Sequence, residues 1–566
     1  MQLIEIKKIL SIANFKFKKN LILSLFSSFL EVLSLGSLIP LIIVLVDEQG
    51  AIIQKYEKFI PISINKSSFS DHYLKFTFLI LTFYFLALVF YVFFRYLIKL
   101  NILRFQAELA YKIFNQYLKR DYQKLVNEKV ANVHNIISAE TKRFSGGVLN
   151  SLFEILSKIT VLALICIFLF LYKPILTSIV IIFGIILMGL LFFLFKTRIS
   201  KFNNTISKKN SQNFDFLRTG LNSFLDLKIF NLSTNFLEKY KRNCLEINNQ
   251  NLNIEMISLF PKLLIESIII IVFFIVIAFS NFDIKENLLL ISIFVFSFYK
   301  IYPYLSQIFN YVVLFKASKS SISQILNSFQ NVNSNESKNI KKLNINFEKK
   351  LELKDINFQY LNDSFDHFKI KNFNFDINYG DIVAIVGPTG SGKTTLINIL
   401  LGLLKPNSGK ILIDNKLLDN STLESWMQKI SYAAINPFFT NTTIRKNITF
   451  KDEISEKEQI KLNKIYEITM LNSFIKRLPD EDSTIISDSN LNISSGQKQR
   501  INIARSLFKD ASLIFFDEPT SSLDFETEEK ILNKLINSGF LKTAVFATHR
   551  KEVLKYCNKV IDLSKI

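Results

Sequence analysis

Six long apolar runs in the first part of the chain restrict its fold more than any other sequence feature. They lie near 21–46, 77–98, 151–172, 174–195, 257–280 and 287–316. A helix needs about 20 apolar residues to cross the ~30 Å hydrocarbon core of a bilayer, and each run is long enough. The chain is 49% hydrophobic and contains 56 Phe, more than a soluble protein usually carries. The sequence therefore predicts an all-α domain of six transmembrane helices.

The two longest connections between these runs, 99–150 and 196–256, carry most of the basic residues in this part of the chain. Positively charged loops tend to stay on the cytoplasmic side, so we expect both connections and both chain termini in the cytoplasm. Apolar residues recur in them at helical spacing, as at Leu109, Ile113 and Leu118. This spacing predicts helices that continue beyond the bilayer.

The formal net charge of +21 has two possible explanations. Proteins that bind nucleic acids are basic, but the cytoplasmic loops of membrane proteins also concentrate Lys and Arg. We therefore expect a membrane protein with no nucleic-acid partner. Cys166, Cys244 and Cys557 lie far apart without metal-ligand spacing, so neither a disulfide framework nor a zinc site is predicted.

A polar stretch rich in Asn, Ser and Lys separates two regions of different composition. We expect a transmembrane domain with cytoplasmic helix extensions over 1–326, a linker over 327–347 and a soluble α/β domain over 348–566. In the last region, apolar stretches at 351–360, 382–386, 512–516 and 543–547 are predicted to be strands, because helical patterns separate them.

A glycine-rich loop follows the predicted strand 382–386 and precedes a helical run. Glycines let backbone N–H groups close around phosphate, and the helix N-terminus adds partial positive charge, so the loop is typical of a P-loop NTPase that binds ATP. Lys393 is expected to reach the β- and γ-phosphates, and Thr394 to hold Mg²⁺. The expected ATP-binding residues of this loop are Gly387, Pro388, Thr389, Gly390, Ser391, Gly392, Lys393, Thr394 and Thr395.

A second strand, 513–516, ends in Asp517 and Glu518. The carboxyl ends of strands in an open α/β sheet are where ligands bind. We expect Asp517 to act on Mg²⁺ together with Thr394, and Glu518 to be the catalytic general base toward the attacking water.

The segment Ile493-Ser-Ser-Gly-Gln497, followed by Lys498, Gln499 and Arg500, is similar to the signature of ATP-binding cassette (ABC) proteins. The resemblance implies that Tyr360 stacks on adenine, that Asp524 lies in the D-loop, and that His549 is the catalytic switch histidine at the γ-phosphate. It also implies that the signature acts on the ATP of a partner. The signature residues are Ser494, Ser495, Gly496 and Gln497. Because one chain has one such domain, we expect a dimer.

The chain departs from the family pattern at three positions. Ile435 stands where the family has Gln, so either Asn436 substitutes for it or the contact with Mg²⁺ and water is absent. Ser495 replaces a Gly, and Asp488 stands where exporters often have Glu. We favour a homodimer because Glu518 and His549 are present in the same chain, but a heterodimer with a second half-transporter remains an alternative.

Six helices with cytoplasmic excursions and a C-terminal nucleotide-binding domain resemble an ABC exporter half-transporter. The resemblance implies ATP-driven transport by alternating access, with coupling helices near 121–125 and 216–227. It also implies a multi-pass protein of the bacterial inner membrane whose ATPase domain is cytoplasmic. Importers usually encode the two parts separately, and a soluble cassette ATPase lacks membrane spans, so export is the favoured interpretation.

Within this group the chain is most similar to bacterial flippases for lipid-linked oligosaccharides, which implies a lipid or glycolipid substrate. Ionisable groups at membrane depth are costly and tend to mark a pathway. Arg95, Lys262 and Lys300 are candidates to attract a diphosphate, with Glu31 and Glu266 as candidate partners for them. Two alternatives remain: Arg95 and Lys262 only extend to the membrane interface, or the cargo is a peptide or protein.

Overall fold

The computed structural model of the 566-residue chain describes most of its length. The described residues are 2–36, 69–120, 122–126, 128, 130–172, 174–279, 288–330, 343–360, 369–487 and 493–565. Two compact units are present: Met1–Arg120 with Leu125–Val332, and Asp121–Lys124 with Asn333–Ile566.

The described part of the chain before residue 343 is helical. Its helices are α1 (Gln2–Ile12), α2 (Phe17–Gly36), α3 (Phe69–Leu118), α4 (Tyr122–Val126), α5 (Val130–Asn135), α6 (Thr141–Arg143), α7 (Asn150–Tyr172), α8 (Pro174–Asn222), α9 (Phe224–Ile229), α10 (Ser233–Phe279), α11 (Leu288–Ala317) and α12 (Lys319–Gln330). Two π-helical turns, Ile136–Glu140 and Phe144–Leu149, join α5, α6 and α7.

Each of the six apolar runs lies on one of these helices, within the described residues. Helices α3, α8 and α10 contain 50, 49 and 47 residues, which corresponds to about 70–75 Å and exceeds the thickness of a bilayer. Helices of this length are what the predicted extensions beyond the bilayer require. In the described residues, Phe78–Leu118 and Asn132–Leu171 are long and apolar enough to span a membrane, with mean hydropathies of 2.2 and 2.3.

One buried apolar cluster of the first unit joins its first and last described helices. Ile9 of α1 packs in this cluster with Leu109 of α3, Phe153 of α7 and Ile325 of α12. Apolar side chains of α1 recur at helical spacing, so one face of α1 is buried, while Lys7 is exposed. Burial of one apolar face is what holds such a short helix in place.

Two expected boundaries differ from the structure. Helix α8 continues through Asn222, so the short helix near the expected coupling helix 216–227 is α9. The break between them falls at Ser223, whose φ of −101° and ψ of 27° are not helical. The expected linker 327–347 also contains ordered ends. Helix α12 extends into it to Gln330, and Phe347 is buried against Trp426. Residues 331–342 lie outside the described part.

The second unit is built on three sheets. Its strands are β1 (Lys350–Gln359), β2 (Lys369–Asn378), β3 (Ile382–Val386), β4 (Ser408–Ile413), β5 (Lys416–Leu417), β6 (Ile430–Ala433), β7 (Thr442–Thr443), β8 (Ile485–Ile486), β9 (Leu513–Asp517), β10 (Ala544–Ala547) and β11 (Lys559–Asp562). Its helices are α13 (Lys393–Leu400), α14 (Leu423–Lys429), α15 (Ile444–Thr449), α16 (Glu456–Ile468), α17 (Asn472–Ile475), α18 (Ser495–Phe508), α19 (Phe525–Asn537) and α20 (Lys551–Leu554).

The five-stranded sheet, in the order β11-β3-β10-β9-β6, positions the site. Its strands are parallel, and Ala547 of β10 lies beside Ile385 of β3 and Asp517 of β9. The carboxyl ends of β3, β9 and β10 therefore meet at one edge. A four-stranded antiparallel sheet, β2-β1-β4-β5, and a two-stranded sheet, β7-β8, complete the set. The four strands predicted from sequence are present as β1, β3, β9 and β10, which agrees with the predicted α/β class.

Candidate nucleotide-binding site

The loop after β3 turns sharply into helix α13. Gly390 and Gly392 have φ values of 85° and 90°, a region that residues with a side chain rarely adopt. A Cβ atom at Gly387 would lie 2.5 Å from Ser391 Oγ. Ser391 Oγ is buried without a hydrogen-bond partner among the described residues. The loop therefore leaves polar groups available for a phosphate at the N-terminus of a helix.

Lys393, the first residue of α13, lies inside this loop. Its Nζ donates to the backbone oxygens of Gly387 at 2.9 Å and of Pro388 at 3.2 Å. It is also 3.9 Å from Glu518 Oε1. The residue is only 7% exposed, so little water reaches its ammonium group. A phosphate bound in the loop would supply a charged hydrogen-bond acceptor for it.

Thr394 and Asp517 form the candidate magnesium site. Thr394 Oγ1 donates to Asp517 Oδ2 at 2.9 Å, and Asp517 is 1% exposed. Burial raises the pKa of Asp517, and the hydrogen bonds from Thr394 and Tyr432 oppose this shift. A buried carboxylate next to a hydroxyl is a set of hard oxygen ligands that fits Mg²⁺.

Glu518 directly follows β9 and has a strained backbone. Its φ is 47°, and its backbone N–H donates to the oxygen of Ala547 at 2.9 Å. Glu518 Oε1 lies 3.4 Å from His549 Nδ1. Such strain in a non-glycine residue costs of order 1–3 kcal/mol and is concentrated at functional sites. The contacts of Glu518 with His549 and with Lys393 bring the two predicted catalytic side chains together at the phosphate loop.

Tyr360, at the end of β1, lies beside the helix that follows the loop. Its hydroxyl is 3.3 Å from Thr395 Oγ1, and its ring packs edge-on against Phe358 with centroids 5.0 Å apart. The hydroxyl contact places Tyr360 beside Thr395, the last expected residue of the phosphate loop. Residues 361–368, which follow it, lie outside the described part.

The signature begins helix α18. Ser494 is the N-cap: its Oγ accepts from Gln497 N at 3.2 Å, and Ser494 N donates to Gln497 Oε1 at 2.9 Å. Ser495 is exposed, so this helix N-terminus faces solvent and can accept an anion from another molecule. A Cβ at Gly496 would lie 3.0 Å from Leu523 Cδ2. Asp488 lies outside the described residues.

Asp524 is the N-cap of α19 and accepts from Thr527 N at 2.9 Å; this hydrogen bond lowers the pKa of Asp524. The loop before it is held by Gln499, a residue that was not among the site residues predicted from the sequence. Gln499 Nε2 donates to Ser521 Oγ at 2.7 Å, and Ser522 N donates to Gln499 Oε1 at 2.9 Å. The signature helix and the D-loop are thus directly connected.

Ile435 cannot make the polar contact that the Gln of the family pattern would make at this position, and the residue is 39% exposed. The additional hydroxyl that reaches Asp517 belongs to Tyr432, whose OH donates to Asp517 Oδ2 at 3.2 Å. Sequence reasoning missed Tyr432. Its only signal was a tyrosine on a buried strand that leads into the altered loop.

In the membrane domain, Glu31 and Arg95 have partners that differ from the expected ones. Glu31 Oε1 accepts from Lys158 Nζ at 2.9 Å, and Arg95 Nη1 donates to Glu154 Oε1 at 2.9 Å. Among the described residues Glu31 thus pairs with a cation of α7 and Arg95 with a carboxylate of α7, while a pairing of Glu31 with Lys262 or Lys300 stays a prediction. Ionisable residues within the run 151–172 were the sequence signal for Glu154 and Lys158.

The remaining candidates lie on the last two long helices. Tyr304 OH of α11 donates to Glu31 Oε1 at 3.0 Å. Glu266 is exposed on α10. Lys262 and Lys300 belong to α10 and α11, and their side chains lie outside the described part.

Comparison with known proteins identifies both units. Residues 37–309 match the family described as ABC transporter transmembrane region, and residues 370–521 match the family described as ABC transporter. A solved bacterial Atm1-family ABC exporter with ATP bound has the same fold, with a TM-score of 0.73, 19% sequence identity, and coverage of 97% of this chain and 94% of that chain.

Curated relatives include an ATP-dependent lipid A-core flippase of Ralstonia nicotianae, 31% identical over 214 residues, and the mycobactin import ATP-binding/permease protein IrtB of Mycolicibacterium thermoresistibile, 29% identical over 213 residues. These matches cover 38% and 37% of this chain, and 36% and 35% of the relatives. The chain therefore spans about a third of the length of the curated relatives it matches. With both family matches and the shared fold, the chain belongs to the ABC transporters, as an exporter-type half-transporter that joins a transmembrane domain to an ABC ATPase domain.

Proposed function

We propose that this chain is an ATP-driven exporter that moves a lipid-linked oligosaccharide or another amphipathic lipid across a bacterial inner membrane. The observation that carries the ATPase part is the meeting of Lys393, Glu518 and His549 at the edge where Thr394 bonds Asp517. In this proposal a transmembrane domain precedes a cytoplasmic ATPase domain, in the order expected from the sequence.

The proposed chemistry is in-line hydrolysis of the γ-phosphate. The loop and Lys393 hold the phosphates, and Tyr360 stacks on adenine. Glu518 accepts a proton from water while the water oxygen bonds to the γ-phosphorus and the bond to the ADP oxygen breaks. Thr394 and Asp517 would hold Mg²⁺, which when bound supplies charge neutralisation at the β- and γ-phosphate oxygens.

A dimer completes the proposed site. The exposed N-terminus of α18 offers the Ser494 hydroxyl and backbone donors to the γ-phosphate bound by a second molecule. Two chains would then enclose two ATP molecules, and hydrolysis would remove the anion that joins them. Conversion of this closure into alternating access of the membrane helices is the proposed transport step.

The substrate proposal is supported by charge inside the membrane domain and by the lipid A-core flippase relatives. Lys158 is 6% exposed as a side chain and pairs with Glu31, and Arg95 pairs with Glu154. A phosphate group is an alternative acceptor for either cation, so a lipid phosphate would exchange with a carboxylate. Lys262, Lys300 and Glu266 complete the proposed pathway.

Reconstitution in liposomes tests the substrate class. We expect a polyisoprenyl-diphosphate glycan to stimulate ATP turnover, and Lys300→Glu to abolish that stimulation while basal turnover remains. Lys99→Glu, on an exposed residue of α3, is the matched control. Stimulation by a peptide and not by the glycolipid would instead favour the peptide-exporting alternative.

Ile435 and Ser495 favour one further possibility, in which this chain is one half of an asymmetric heterodimer. A site without the family's Gln and with an altered signature is expected to turn over slowly. The measurement that decides is ATP turnover by the purified single chain and by its Glu518→Gln variant. Turnover that requires a different half-transporter would contradict the homodimer.

A further inference from the structure

Tyr432 makes a contact at the nucleotide site that the family pattern does not explain. It lies on β6, whose neighbour in the parallel sheet is β9, and it pairs in register with Phe515. Its OH donates to Asp517 Oδ2 at 3.2 Å. The same oxygen accepts from Thr394 Oγ1 at 2.9 Å. Asp517 thus has one donor from the helix after the phosphate loop and one from the neighbouring strand.

Two donors on one oxygen restrict the rotation of the carboxylate about its Cβ–Cγ bond. A tyrosine hydroxyl is protonated at neutral pH, so it donates and the carboxylate accepts. Thr394 is itself a proposed Mg²⁺ ligand, and its hydroxyl must turn toward the cation when the cation binds. Tyr432 is not an expected ligand, so its hydrogen bond can persist and keep Asp517 in place.

The sequence around Tyr432 explains why such a contact matters in this chain. Strand β6 leads directly into the loop that contains Ile435, and isoleucine can neither bind a cation nor orient water. Asn436 in the same loop is exposed. In the described part of this strand and loop, the side-chain hydrogen bond to Asp517 therefore comes from the hydroxyl of Tyr432.

We propose that Tyr432 is a positioning residue of the magnesium site, which acts by holding Asp517 in the orientation that receives the cation. This inference rests on the proposed function of the site as an Mg²⁺–ATP site. Partners that orient metal ligands typically contribute 10–100-fold to metal affinity. Loss of the hydroxyl should therefore weaken metal binding and leave the binding of metal-free nucleotide unchanged.

The chain contains a matched control for this substitution. Tyr466 OH donates to Asp482 Oδ2 at 3.1 Å, and both residues are buried, at 4% and 6% exposure. This pair lies on α16 and on the turn Glu481–Ser483, elements that contribute no residue to the proposed site. Tyr466→Phe removes the same kind of bond without touching the magnesium site.

The experiment uses the full chain in detergent, a non-hydrolysable ATP analogue and Mn²⁺ as a paramagnetic substitute for Mg²⁺. Bound Mn²⁺ is measured by electron paramagnetic resonance, and analogue binding without metal is measured separately. We expect Tyr432→Phe to weaken Mn²⁺ binding by about tenfold and Tyr466→Phe to leave it unchanged. In an Asp517→Asn background, Tyr432→Phe should add no further loss, because the tyrosine acts through the carboxylate.

Equal Mn²⁺ affinity of Tyr432→Phe and the unsubstituted chain would overturn the inference, and so would an equal loss in Tyr466→Phe. Neither result would contradict the proposed function, since the unsubstituted chain would still bind the ATP analogue. Failure of that chain to bind the analogue at all would instead overturn the proposed function, and this inference with it.

Discussion

Thr394 and Asp517 are 123 residues apart in the chain, yet the threonine hydroxyl donates to the carboxylate across 2.9 Å. The parallel sheet explains this contact, because β3 and β9 both flank β10 and end at the same edge. Helix α13 then carries Thr394 back toward β9. The oxygen ligands expected for Mg²⁺ are therefore brought together by the strand order and by the start of helix α13.

Replacement of the proposed general base should separate nucleotide binding from hydrolysis. Glu518→Gln keeps the shape of the side chain but cannot accept a proton from water, so we expect ATP turnover to fall by about 10²–10⁴-fold. Binding of ATP should persist. Turnover by phosphate release and binding by a fluorescent ATP analogue are the two measurements. Glu526→Gln, which changes an exposed glutamate paired with Lys530, serves as the control.

Restoring the family residue at position 435 should increase turnover. In Ile435→Gln the amide can contact the bound cation and the attacking water, and one added hydrogen bond of about 1 kcal/mol corresponds to about fivefold in rate. Steady-state kcat is the measurement. Ile460→Gln, at an exposed position on α16, should leave kcat unchanged. An unaltered kcat in Ile435→Gln would show that this loop does not limit hydrolysis.

The buried pair between Glu31 and Lys158 should stabilise the membrane domain. Lys158→Met leaves the carboxylate of Glu31 without its cation, and breaking a buried pair in this way costs about 3–5 kcal/mol. Combined Lys158→Met and Glu31→Gln should recover most of that loss. Unfolding in detergent micelles measures both variants.

An exposed pair provides the comparison. Lys209 and Glu246 form an ion pair at 2.8 Å with side-chain exposures of 24% and 45%, so Glu246→Gln should cost no more than about 1 kcal/mol. If Lys158→Met and Glu246→Gln lower the free energy of unfolding by the same small amount, the pair between Glu31 and Lys158 contributes no more than an exposed ion pair.

The stability of the ATPase unit should depend on Asp381 at neutral pH. Burial opposes the charge of this residue, but hydrogen bonds from Asn378 and Asn558 and the ion pair with Lys559 together lower the pKa of Asp381 below its ordinary value. A carboxyl with a lowered folded-state pKa stabilises the protein above its unfolded pKa, and this contribution disappears as the pH falls through the folded pKa.

We therefore expect Asp381→Asn to lower the free energy of unfolding by about 1–3 kcal/mol at pH 7, and the difference to shrink below about pH 4. Urea unfolding at several pH values, followed by far-UV circular dichroism, measures it. A difference that stays constant down to pH 2 would mean that packing, and not the charge, is responsible.

The sequence by itself determined the two-part architecture and the nucleotide site. Apolar runs long enough to span a bilayer can be recognised without knowledge of tertiary contacts, because the thickness of the bilayer sets the same minimum length for every spanning helix. The loop from Gly387 to Thr395 and the Asp517-Glu518 pair are also local patterns, since each depends on a strand and the residues that directly follow it. The departure at Ile435 was visible for the same reason.

Tertiary structure alone decided which distant side chains meet. Tyr432 reaches Asp517 across 85 residues, and Lys158 reaches Glu31 across 127. No periodicity or spacing encodes such pairs, because strand order and helix packing bring them together after the elements have formed. A buried cation pairs with whichever carboxylate its neighbouring helix presents, so the partner of Glu31 depended on the packing of α2 against α7.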